Sequence, residues 1–223
     1  GYRAVTFSLK ETGRAPGDAS SNQMRAVSKL SDEYSFGEIR VSHEQNLILA
    51  DVQEDRLYEL WNRAKDSHLV TPNIGLLTDI ICCPGGDFCS LANAKSIPIA
   101  QSIQDLFNDI DYLHDIGDLN LNISGCMNAC GHHHVGHIGI LGVDKDGSEW
   151  YQVTLGGNQG NFASIGKVIG PSFSAEEMPL IIKKIIEVYL NHRNEEEIFI
   201  DCFSRIGLEP FKNYIYKELE VKK

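Results

Sequence analysis

Apolar and polar positions alternate from Tyr2 to Leu9, with Val5, Phe7 and Leu9 on one face, the period of a half-buried strand. Lys10–Ala19 carries Gly13, Pro16 and Gly17 and reads as a loop. The period then changes. Ser20 or Ser21 caps a predicted helix whose apolar positions are Met24, Val27, Leu30 and Tyr34, and Gly37 ends it. Alternation returns in Glu38–Ser42, through Ile39 and Val41, and Asn46–Ala50 is the expected hairpin partner. Asp51 is expected to cap a second helix that turns Leu57, Leu60, Trp61 and Ala64 inward. Gly1–Val70 therefore reads β-α-β-β-α, a small α+β sandwich of ferredoxin-like type.

Thr71-Pro72-Asn73 is the expected boundary, with a second domain over Thr71–Lys223. Asp79–Cys82 reads as a short buried strand that delivers Cys83 into a Pro-Gly-Gly loop. A helix is expected from Ser90–Ser96, restarted at Pro98 and marked by Ile99, Ile103, Leu106 and Ile110. Leu119, Leu121 and Ile123 alternate as a strand that ends at a second cysteine pair. His137–Val143 and Glu149–Leu155 form a hairpin across Asp144-Lys145-Asp146-Gly147. A Gly-rich loop, Gly156–Asn161, and a short strand, Ile165–Ile169, follow. Ser174-Ala175-Glu176-Glu177 has the capping-box pattern, opening a helix through Leu180, Ile181, Ile185, Val188 and Tyr189. Glu195–Ile206 is a further predicted helix. The second domain is thus expected to be built on a mixed sheet, in an α+β fold.

Composition narrows the function classes. Of 223 residues 42% are hydrophobic and 23% charged, as in an ordinary globular protein. No apolar run reaches the roughly 20 residues that span a bilayer, so no membrane segment is expected. The start reads as strand and loop, not as a signal peptide, and cytoplasmic placement is expected. Because Gly1 stands where an initiator Met would, the chain is expected to be processed or cut from something longer. The formal charge of −11 argues against nucleic acid, whose phosphates need Lys and Arg.

The six cysteines are Cys82, Cys83, Cys89, Cys126, Cys130 and Cys202. Four fall in two tight pairs, Cys83/Cys89 and Cys126/Cys130, each beside glycines at the end of a predicted strand. In a chain without export signals such clustering favours metal or cluster ligation over disulfides. Four soft thiolates suit an iron–sulfur cluster or zinc, and the spacing alone leaves both open, together with unligated thiols. Cys82 and Cys202 are expected to be buried core residues. The Gly-rich loop lacks the lysine of a phosphate-binding loop, so a nucleotide site is unsupported.

Cys83-Pro84, Cys89-Ser90-Leu91-Ala92 and Gly125-Cys126-Met127-Asn128-Ala129-Cys130 resemble the signature of the siroheme-dependent sulfite and nitrite reductases. Gly37–Val41 with Gln45-Asn46-Leu47, Leu155-Gly156-Gly157, and Arg205-Ile206-Gly207 with Pro210-Phe211-Lys212 occur in that family's order. The resemblance runs through the whole chain but matches only the second of the family's two pseudo-repeated halves. It implies that Cys83, Cys89, Cys126 and Cys130 bind a 4Fe–4S cluster, that Cys130 bridges to the siroheme iron, and that Asn128 hydrogen-bonds near the cofactors. It implies as partners an N-terminal half of the same enzyme, a flavoprotein or ferredoxin donor, and a small oxyanion substrate. The implied activity is assimilatory reduction of sulfite to sulfide, with reduction of nitrite to ammonia as the alternative. Arg40 is a candidate for a siroheme carboxylate, and His132 and His134, with His133 between them, for proton supply to the oxyanion. The rival classes are a non-catalytic zinc or iron–sulfur binding module and a cofactor-free fragment.

Overall fold

The computed structural model describes Gly1–Glu220, with side chains as far as Lys217. The chain divides into two compact units, Gly1–Ile74 and the part from Gly75 on. Thr71–Asn73 packs with the first unit. The Asn73 side chain takes a hydrogen bond from Ser8 Oγ at 2.7 Å and donates one to the Lys10 carbonyl at 3.1 Å.

The first unit runs β1 (Tyr2–Phe7), α1 (Ser21–Tyr34), β2 (Arg40–Val41), β3 (Leu47–Gln53) and α2 (Leu57–Lys65), the expected β-α-β-β-α order. Its sheet is antiparallel in the order β1-β3-β2. Ser20 caps α1 in a reciprocal box with Gln23, the serine side chain accepting from the Gln23 N–H. Phe7, Leu9, Val27, Leu30, Tyr34, Leu49, Val52, Leu60 and Ala64 fill the core between sheet and helices. Three sequence expectations are corrected. Met24 is exposed, and Gln23 takes the buried place in the first turn because its side chain is held by the cap and by the His68 carbonyl. Asp51 does not cap α2. β3 continues through it to Gln53 because β1 offers a partner opposite as far as Tyr2. Trp61 is half-exposed, its ring covered instead by Lys65 Nζ at 3.4 Å.

The second unit carries a five-stranded sheet in the order β4 (Ile81–Cys82), β5 (Leu121–Ser124), β6 (Ile138–Lys145), β7 (Ser148–Leu155), β8 (Lys167–Val168). β4, β5 and β6 are parallel, while β6–β7 and β7–β8 are antiparallel. The sheet is mixed, and the fold is α+β throughout. All four residues of β5 are buried, as a central parallel strand covered on both faces requires. The β6–β7 hairpin turns at Asp146-Gly147, both at positive φ (55° and 78°), a two-residue turn that matches strand twist.

Helices α3 (Gly85–Phe88), α4 (Ile97–Leu106), α5 (Ile110–Ile116), α6 (Met178–His192), α7 (Phe199–Ile206) and α8 (Glu209–Glu220) complete the unit. The apolar stripe of α6, including Ile181, Ile185, Val188 and Tyr189, is buried against α4, α7 and α8. Each such side chain is worth about 1.5–3 kcal/mol of burial. Ser90–Ser96 is not helical. Asn93 and Ala94 both give their N–H groups to the Gly125 carbonyl, at 2.8 and 3.0 Å, so this stretch is tied across to another loop instead of coiling on itself. Likewise α7 begins at Phe199 and not at Glu195. Before it, Asn194 and Glu197 close a local turn through the Glu197 side chain and amide.

Candidate functional site

The two cysteine loops start side by side because β4 and β5 are parallel neighbours, with Cys82 opposite Ile123. Each strand then leaves the sheet at the same end, one at Cys83 and the other at Gly125. The Cys83 N–H still bonds the Ile123 carbonyl, at 3.1 Å. The Cys83 sulfur accepts the Gly125 N–H at 3.1 Å and lies 3.4 Å from Ser96 Oγ. A backbone donor of the second cysteine loop thus touches the first sulfur of the first loop. Cys89 ends the short helix α3, its N–H bonded to the Gly85 carbonyl.

Burial grades across the four thiols. Cys83 and Cys126 are buried, Cys89 is intermediate and Cys130 is exposed. Phe88, Leu91 and Met127, adjacent in sequence to these cysteines, stand 70–83% exposed. Large apolar groups left in water mark a surface suited to an apolar ligand or partner. Cys82 and Cys202 are buried, as expected of core thiols; Cys82 Sγ bonds the Cys83 carbonyl at 3.2 Å.

A sulfur that already accepts a backbone N–H is in a fitting environment for a thiolate ligand, so the surroundings of Cys83 fit an iron–sulfur cluster. Among the described residues no three His, Cys, Asp or Glu side chains converge closely enough for one metal ion.

Asn128 is exposed inside the second loop. His132 is exposed at positive φ (53°), where the chain reverses after Cys130 and Gly131. His133 opens a single 3₁₀ turn, His133–Val135, and is buried, whereas His134 is exposed. Their rings lie 3.9 Å apart between centroids. Burial, and secondarily the His134 charge, holds the His133 pKa down at about 4. Arg40 lies on β2 in the first unit, exposed, its Nε donating to Glu38 at 2.6 Å.

Sequence reasoning passed over three groups. Ser96 reads there only as the last residue of the expected Ser90–Ser96 helix before Pro98 restarts it. Tyr151 is fully buried and donates to the Lys95 carbonyl at 2.9 Å, anchoring the segment that lies on Gly125. His137, at the other end of the parallel strands, accepts the Asn120 N–H on Nδ1 at 3.2 Å. Burial lowers its pKa. It lines an open cleft of about 660 Å³ with Asp118, Asn158 and Asp201.

Comparison with known proteins agrees with the thiolate chemistry. Residues 76–223 match the family described as nitrite and sulphite reductase 4Fe-4S domain. Residues 4–67 match the nitrite/sulfite reductase ferredoxin-like half domain. An assimilatory ferredoxin-dependent nitrite reductase of Haloferax mediterranei is 29% identical over 194 residues, covering 84% of this chain and 33% of that protein. An assimilatory-type sulfite reductase of Nitratidesulfovibrio vulgaris is 22% identical over 191 residues, covering 85% of this chain and 84% of that one. The NirA protein of Mycobacterium tuberculosis superposes with a TM-score of 0.74 at 25% identity, over 93% of this chain and 39% of NirA. The chain thus spans about a third of the length of the Haloferax relative. Among the described residues no helix is long and apolar enough to cross a membrane. The chain belongs to the nitrite and sulphite reductase family, as a ferredoxin-like half-domain followed by a 4Fe–4S domain.

Proposed function

We propose that the chain is the cluster- and siroheme-binding part of an assimilatory sulfite reductase hemoprotein, which carries out multi-electron reduction of sulfite to sulfide. Cys83, Cys89, Cys126 and Cys130 hold the 4Fe–4S cluster, and Cys130 also bridges to the siroheme iron. The observation that carries this reading is the Gly125 N–H on Cys83 Sγ, which brings the start of the second cysteine loop onto the first sulfur of the first. When bound, the two cofactors supply one-electron transfer and an iron atom that takes the oxyanion.

The chain's own residues supply the surroundings. Buried Cys83 and Cys126 shield one side from water, and exposed Cys130 leaves the other open to a second cofactor. Exposed Phe88, Leu91 and Met127 offer apolar contact to a macrocycle. The Asn128 amide donates hydrogen bonds beside the ligands, which tunes a cluster's potential. His132 and His134 supply protons to the oxyanion, and Arg40 pairs with a siroheme carboxylate. The partners we assign are an N-terminal half of the same enzyme and a ferredoxin or flavoprotein donor. A cytoplasmic setting suits four thiolates that must stay reduced.

The test is anaerobic reconstitution with iron, sulfide and siroheme, followed by optical and EPR spectra and by turnover of sulfite against nitrite. A reduced-cluster EPR signal that Cys130→Ser abolishes is expected. One bound zinc without acid-labile sulfide, or a signal untouched by Cys130→Ser, overturns the reading. Nitrite reduction is the second reading, favoured by the likeness to the Haloferax nitrite reductase. A higher kcat/KM for nitrite than for sulfite selects it.

A further inference from the structure

Ser96 occupies the N-cap of α4 but does not cap it. A serine there ordinarily accepts an N–H from the second or third helical residue. The Ser96 side chain makes no such bond, and the second residue is Pro98, which has no N–H to give. The hydroxyl is fully buried and lies 3.4 Å from Cys83 Sγ. It is wedged between the two cysteine loops. A Cβ placed on Gly85 would come within 2.4 Å of Ser96 N and 2.7 Å of its Oγ, and one on Gly125 within 3.0 Å of that Oγ. Glycine at both positions is what lets the hydroxyl reach the sulfur. The Ser96 carbonyl meanwhile accepts the Ala100 N–H, so the helix start is kept without the side chain.

We propose that Ser96 tunes the reduction potential of the 4Fe–4S cluster by donating its hydroxyl proton to the Cys83 thiolate. This rests on Cys83 being a cluster ligand. A ligating sulfur carries no proton, so in the pair Ser96 Oγ–Cys83 Sγ the hydroxyl must be the donor. Together with the Gly125 N–H at 3.1 Å, it places two donors on one ligand sulfur. Reduction adds negative charge to the cluster and its thiolates. A donor on sulfur therefore stabilises the reduced form more than the oxidised form and raises the potential. The backbone donor is fixed by the fold. The serine is the donor that substitution can remove.

The test compares the full chain with its Ser96→Ala and Ser96→Thr variants, each loaded with cluster. Iron and sulfide are assayed, and the reduced-cluster EPR signal is followed through an equilibrium redox titration. Ser96→Ala is expected to keep its iron and sulfide and shift the midpoint to more negative potential, and Ser96→Thr to restore it. Solvent deuteration is expected to shift the Fe–S stretching bands of the parent protein more than those of Ser96→Ala in resonance Raman spectra. An unchanged midpoint in a fully loaded Ser96→Ala protein overturns the proposal and leaves the ligand assignment standing. Cluster loss in Ser96→Ala assigns the serine a structural role only and also overturns it. A parent chain that takes up no cluster fails the ligand assignment itself, and this inference with it.

Discussion

Acidification from about pH 7 to about pH 5.5 should weaken the second unit through His133, and a variant at that position should lose part of the effect. His133 is 1% exposed, and its Nδ1 has no hydrogen-bond partner among the described residues. A charged imidazolium there would lose its hydration with nothing to replace it. Burial first, and the neighbouring His134 second, bring its pKa from 6.5 down to about 4. A base held neutral in the fold takes up its proton on unfolding. The unfolded chain therefore binds more protons between these two values, and stability rises with pH across that window. The contribution is complete above about pH 6.5, is lost as pH falls, and stops changing below about pH 4. At about 1.4 kcal/mol per pH unit the whole window caps the loss near 3.5 kcal/mol. Between pH 7 and pH 5.5 the linkage relation gives about 1.2 kcal/mol. With a urea slope of about 2–3 kcal/mol per molar, the unfolding midpoint should fall by roughly 0.5 M from this residue alone. The assay is urea unfolding of reduced, metal-free protein at both pH values, for the parent and for His133→Leu. His137, whose pKa burial also lowers, contributes to both proteins and cancels in the comparison. The variant should show the smaller pH dependence by about that 1.2 kcal/mol. Equal pH dependence in the two proteins would refute the reasoning.

Other substitutions test packing, anchoring and cysteine identity. Gly139→Ala puts a Cβ 2.0 Å from the His133 carbonyl oxygen and 2.4 Å from Thr154 Oγ1, and a backbone oxygen cannot swing aside. It should cost about 1–3 kcal/mol, read as a lowered thermal midpoint, and an unchanged midpoint would contradict the close approach of the 3₁₀ turn to β6. Tyr151→Phe removes the hydroxyl from the Lys95 carbonyl and from Glu149, at 2.9 and 3.2 Å. It should cost about 1 kcal/mol and speed amide exchange at Asn93 and Ala94. Because burial and Glu149 raise its pKa, Tyr151 stays a donor through neutral pH, so the parent's exchange protection there should not fade between mildly acid and mildly alkaline buffer. Cys202→Ala should leave iron and sulfide content unchanged, since its thiol is buried among Phe199, Phe203 and Arg205. Cys126→Ser should remove the cluster; equal cluster content in the two variants would count against the proposed ligand set.

The β-α-β-β-α order of the first unit is legible because its strands alternate and its helices repeat with their own period. What the sequence does not carry is pairing. Asp51 looks like a helix cap by type, but Tyr2 opposite Gln53 draws the strand past it. Ser90–Ser96 has ordinary helix formers, yet the Gly125 carbonyl, more than thirty residues away, takes the two N–H groups a helix would need. The site divides the same way. Cysteine identity, spacing and flanking glycines are local features and survive in one dimension. Ser96 is hidden because the atom it serves is thirteen residues upstream, and Ser-Ile-Pro is also how an unremarkable helix begins. Cys82 and Cys202 are readable as core because each sits in an apolar run.

Parallel pairing of β4 and β5 does more than bring cysteines together. In an antiparallel pair the two strand exits would lie at opposite ends of the sheet. Parallel strands deliver both glycine turns to their shared carboxyl end, the usual place for a ligand in such sheets. The exits are nevertheless unequal. On the β4 side Cys83 is buried under Ser96 and Gly125. On the β5 side the chain runs on through exposed Met127 and Asn128 to an exposed Cys130. A cluster held by the proposed ligands would be dry at Cys83, where the proposed hydrogen bonds would act on its potential, and open at Cys130, where the proposed siroheme contact would form. That asymmetry predicts distinct phenotypes. Changes beside Cys83, such as Ser96→Ala, should move the potential and leave siroheme uptake alone. Changes on the open side, such as Met127→Lys, should weaken siroheme uptake, read by optical titration of the cluster-loaded chain, and leave the midpoint potential near its parent value. If Met127→Lys instead moves the potential while siroheme uptake is unchanged, the open face is not where the second cofactor approaches.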